Sequence, residues 1–129
     1  MTPLFFLIGK VLFGGFFVIS GYNHLSKITA LSGYAKSKGV KYPHLSVFFS
    51  GLMILLGGLG VIFSIMPVLS LWLIIIFLIV VTFSMHRFWE IDEPMQKMGE
   101  TINFKKNLAL LGAALMMLSL ATPWQSVLF

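Results

Sequence analysis

The sequence predicts an all-α integral membrane protein, a four-helix bundle with a short amphipathic interfacial helix in its first loop. Composition is the first observation behind this: of 129 residues 58% are apolar and 10% charged, with a mean hydropathy of +0.97, far outside the range of soluble domains. The second is the presence of four apolar runs free of acidic residues. Each comes close to the roughly 20 residues a helix needs to cross a hydrocarbon core of about 30 Å. The third is that the runs are continuous rather than alternating, which in lipid selects helices over a barrel.

The first run, Leu4 to Tyr22, sets a helix over about 4–25. It has no basic segment ahead of it, it contains Lys10, and "ISGYNHL" makes a poor cleavage site, so it is expected to stay as a helix rather than be removed as a signal peptide. The second run, Leu45 to Met66, sets a helix over 45–66. The third, Val68 to Met85, follows almost directly at Pro67 and sets a helix over 68–88. The fourth, Phe104 to Thr122, sets a helix over 103–122, and one membrane domain spans 1–129. In the first loop, Ile28, Leu31 and Ala35 recur at helical spacing beside lysines, the pattern of a short helix on an anionic leaflet.

Charge orients the array. The first and third connections share one side, and together they hold eight of the nine Lys and Arg residues. The positive-inside rule puts that side in the cytoplasm and both termini outside. Trp72 and Trp124 fall near the outer ends, Tyr22, Tyr42 and Trp89 near the inner ends, as interfacial belts require. The acidic residues Glu90, Asp92, Glu93 and Glu100 gather in the third connection, the polar loop long enough to hold them. Nothing in this charge pattern reads as a nucleic-acid surface; the expected surroundings are the lipid bilayer.

Three groups of residues are candidates for chemistry. Lys10 lies about seven residues inside the first run with no carboxylate at its depth, so it either snorkels to the outer headgroups or lines a polar cavity that receives a carbonyl or an anion. With Gly14, Phe17, Gly21 and His24 it forms a stripe at spacings of 4, 3, 4 and 3. Those glycines, with Gly57, Gly58 and Gly60 on the second helix, allow either close helix packing or space for a ligand. His24, His44 and His86 all belong to the cytoplasmic side with the acids, a setting for proton exchange, but no paired spacing of metal ligands occurs and no metal site is expected. Beside them "HRFW", with Arg87 and Trp89, suits an aromatic head group. The absence of cysteine excludes disulfide exchange, iron–sulfur ligation and the quinone-linked disulfide-forming class of four-helix enzymes.

"IGKVLFGGFFVISGYNHL" (8–25), "LLGGLGVIF" (55–63), "HRFW" (86–89) and "INFKKNLALLGAALMML" (102–118), taken in order, resemble the DoxX family of small bacterial four-helix inner-membrane proteins. Ser20 and Gly21 match the family's "SG", and His86, Phe88, Trp89, Lys106 and Asn107 match its third-loop and fourth-helix signatures. Relatives often carry Arg at the position of Lys10, Lys at that of His24, and a Glu where this chain has Ile54. The resemblance implies an association with quinone-related oxidoreductase complexes and with tolerance of quinones or oxidative stress. It makes quinone the expected ligand, with Lys10, Gly14, Ser20, Gly21, His24, His86, Arg87, Trp89, Lys106 and Asn107 as candidate contacts. No nicotinamide, flavin or haem motif is evident, so electrons would come from a membrane or cytoplasmic redox partner. The alternatives are a small transporter of anions or other small molecules, and a purely structural subunit of a membrane complex.

Overall fold

Proline sets the helix starts. In the computed structural model, which describes residues 2–120 and 122–124, three of the five α-helices begin at Pro43, Pro67 and Pro94. There proline's missing N–H and fixed φ cost nothing. The helices are α1 (Thr2–Ser26), α2 (Ile28–Ser37), α3 (Pro43–Phe63), α4 (Pro67–Met85) and α5 (Pro94–Leu118), with one 3-10 turn at Phe88–Glu90 between the last two. Among the described residues, α1, α3 and the helical stretch beginning at Pro67 are long and apolar enough to cross a membrane. Their outward faces carry large apolar side chains such as Leu12 and Val80, the surface expected of a protein solvated by lipid. The chain is a membrane protein.

α5 departs from the expected 103–122. It starts nine residues earlier, because Glu93 caps it: its carboxylate accepts from the backbone N–H of Met95 at 3.1 Å and of Gln96 at 2.7 Å. An acid there also complements the positive end of the helix dipole. Much of the acidic island is therefore the cap and first turns of a helix. Its apolar half ends at Leu118, and residue 121, inside the expected helix, lies outside the described residues.

α1 packs along α3, α3 on α4, and α4 on α5, while α2 folds back onto α3 and buries Ser32 and Ala35. Phe17, Ile54, Val61, Leu71, Ile74 and Leu78 form the core between these helices. The α1–α3 seam is the closest. A Cβ at Gly58 would fall 2.6 Å from the Gly14 carbonyl oxygen, and one at Gly21 2.8 Å from that of Gly51, so backbone meets backbone. Gly57 and Gly60 face α4 instead. α1 and α5 share no comparable seam; Lys106 reaches across to lie over the Phe16 ring at 5.3 Å, and beyond the end of α5 Trp124 meets Phe6 of α1 edge-on at 5.3 Å.

Candidate functional site

Glu100, Asn107 and Ala114 are the buried residues of α5, and their spacing of seven places them on one stripe of the helix. Near the start of this stripe, Glu100 receives two hydrogen bonds. Tyr34 of α2 donates to Oε1 at 2.8 Å, and His86, just past α4, lies with Nδ1 2.8 Å from Oε2. One carboxylate thus joins three elements distant in sequence. Arg87 reinforces the junction by donating to the Lys38 carbonyl at the end of α2, 3.0 Å away, and by pairing with Glu90 at 3.1 Å.

Electrostatics follow from this geometry. Burial pushes the Glu100 carboxyl up, but the hydrogen bonds from His86 and Tyr34 and the positive charge of Lys38 outweigh it, so its pKa lies below the ordinary value. Burial, and then the Glu100 hydrogen bond and charge, push the Tyr34 phenol well above its ordinary range. The ionised carboxylate only accepts, so His86 Nδ1 carries the hydrogen and a neutral ring keeps Nε2 as an acceptor. His24 is fixed in the same way: its Nδ1 lies 2.8 Å from the Ser20 carbonyl oxygen, which can only accept. Neither Nε2 has a protein partner among the described residues.

Both imidazoles line one cavity of about 620 Å³. Its walls are largely apolar, with Phe16, Phe17, Met53 and Phe77 among them, and its polar groups include Ser20, Ser50, Tyr34, Lys106 and Asn107. Asn107 is only 5% exposed and makes no hydrogen bond among the described residues; Lys106 makes no ion pair there. The cavity therefore offers two acceptors, one on α1 and one just past the end of α4, and two donors from α5, set in an apolar chamber.

Half of the candidate contacts come together here: Ser20, His24, His86, Lys106 and Asn107. Gly14 and Gly21 lie in the α1–α3 seam and act by closing it. Arg87 serves the junction below the cavity, and Trp89 packs with Phe88 around Phe104, with ring centroids 5.2 to 5.7 Å apart. Lys10 lies outside the cavity. Its ammonium donates to Ser64 Oγ at 2.7 Å and sits 5.0 Å over the Phe6 ring. Ser64 is the left-handed C-cap of α3, so Lys10 complements the negative end of a helix dipole. Only 2% of it is exposed.

Tyr34 and Glu100 were not among the sequence candidates. The stripe Glu100–Asn107–Ala114 would have disclosed Glu100 once the Glu93–Pro94 cap was read as the helix start.

The model of the DoxX family matches residues 5–87, nearly two thirds of the chain, from the first turn of α1 to just past the end of α4. The chain belongs to the DoxX family. No curated protein and no solved structure matches it. The matched stretch of this DoxX protein holds Ser20, His24, Tyr34 and His86, while Glu100, Lys106 and Asn107 stand beyond it on α5. The cavity is thus built jointly by the family-matched helices and by α5.

Proposed function

We propose that this protein binds a lipid-soluble ring compound of the quinone class in the cavity and works as a redox-associated component of the bacterial inner membrane, as an accessory subunit or as part of an oxidoreductase. The observation that carries this reading is the pairing of aromatic and aliphatic walls with convergent hydrogen-bonding groups, the arrangement that holds a polar ring on an apolar tail. Family membership adds the association with quinone chemistry and quinone or oxidative stress. In the membrane, α5 is the fourth crossing, its charged first turns standing in the cytoplasm with α2 against the inner leaflet and both termini outside. The chain supplies the ring's binding site, and a partner protein supplies electrons.

Thermal stability of the detergent-purified protein with and without a ubiquinone or menaquinone analogue tests the proposal, since a ligand that binds only the folded state raises apparent stability by mass action. A concentration-dependent rise supports it. No rise with either analogue rejects it. Anion transport on Lys10 has less support, because that ammonium is engaged with Ser64 away from the cavity.

A further inference from the structure

We infer that the cavity selects the reduced, dihydroxy form of the ring over the oxidised dione. This rests on the quinone-class reading and concerns which redox form the site retains. His24 and His86 both spend Nδ1–H on groups that can only accept, the Ser20 carbonyl and the Glu100 carboxylate, so each neutral ring presents Nε2 as a lone pair. Both side chains line the cavity. A dione has only acceptor oxygens; it satisfies Lys106 and Asn107 but sets its lone pairs against those of any imidazole it meets. A hydroquinone hydroxyl donates and accepts at once. It can give its hydrogen to an imidazole Nε2 while taking one from Asn107 or Lys106, whose donors have no hydrogen-bonding or ionic partner among the described residues. Leaving a buried acceptor unmatched is more costly than the bond itself is worth, so the mismatch falls on the dione. Glu100 takes part through His86: its carboxylate holds the tautomer, and Tyr34 holds the carboxylate. Glu100 is in that sense a positioning residue.

The test measures binding of a short-chain benzoquinone and of its hydroquinone, the latter kept reduced under anaerobic conditions, to the full-length protein in lipid nanodiscs by calorimetry. The variants are His86→Gln and Glu100→Gln. The expected result is hydroquinone bound about tenfold more tightly, equivalent to about 1.4 kcal/mol. The preference should shrink severalfold in both variants, because neither fixes an acceptor at that place. Equal affinities, or tighter dione binding, would overturn the inference while leaving the quinone-class site intact. A wild-type preference that persists undiminished in both variants would overturn its assignment to the His86–Glu100 pair. Binding of neither form would sink the quinone reading and this inference with it.

Discussion

Replacing Gly51 by alanine should damage both the α1–α3 seam and the cavity. A Cβ there would sit 2.5 Å from His24 Cβ and 3.4 Å from the Gly21 carbonyl oxygen. Carbon atoms in ordinary contact lie about 3.5 to 4.0 Å apart, so the two residues must separate by about 1 Å. No rotamer relieves the clash, because His24 Cβ is fixed to its own backbone; the helices must part locally. Overpacking of this kind costs about 1 to 3 kcal/mol, and the better helix propensity of alanine returns up to about 1 kcal/mol. Measured against Gly15→Ala, which gains the same propensity, the net expectation is a loss of about 1 to 3 kcal/mol. Moving His24 also takes its Nε2 out of position, which should weaken ring binding by about the value of one hydrogen bond, 0.5 to 1.5 kcal/mol. The assay compares thermal stability and quinone-analogue affinity with those of Gly15→Ala, the same change at a helical glycine whose added Cβ would meet nothing within 4 Å. A Gly51→Ala protein as stable as Gly15→Ala would refute the close seam; one that is destabilised but binds with unaltered affinity would refute the place given to His24.

The Glu100 junction should fail in acid. Its carboxyl pKa is depressed in the folded protein, so the unfolded chain takes up the proton first; the stability Glu100 contributes is present above the ordinary value of 4.5 and is lost as the pH falls below it toward the folded value. Glu100→Gln should remove that segment of the stability-versus-pH curve, and an unchanged acid limb would contradict the assignment. Lys10→Met should lower thermal stability by about 1 to 3 kcal/mol through loss of a charged hydrogen bond. Its effect on quinone-analogue affinity should stay within about twofold, or 0.4 kcal/mol, since Lys10 stands outside the cavity. Loss of binding in that variant would place Lys10 back among the ligand contacts.

The parts of this protein written in local pattern were legible in its sequence. Apolar runs located α1, α3 and α4, and the spacing of Ile28, Leu31 and Ala35 located α2. The 4-3-4-3 stripe placed Gly14 and Gly21 on one face, and close packing of that face on α3 was one of its two readings. Hydropathy failed at α5, since its first turns are polar and the signal for its start is a cap and a proline rather than an apolar residue. Lys10 was recognised as unusual, yet its partner is a serine 54 residues away at a turn whose left-handed backbone does not use glycine. The Tyr34–Glu100 bond joins residues 66 apart and leaves no periodic trace. Three histidines were grouped by membrane side; only packing separates His24 and His86, which line the cavity, from His44, which does not.

The most direct test of the central claim is the affinity of a quinone analogue for the wild-type protein and for Asn107→Leu, a change at a buried side chain of the cavity that removes its amide while keeping its branched shape. Saturable binding to the wild type, weakened about tenfold or by about 1.4 kcal/mol in Asn107→Leu with stability retained, is the predicted result. Saturable binding that Asn107→Leu leaves unchanged, or no binding to the wild type, would contradict the assignment of this cavity as a quinone site.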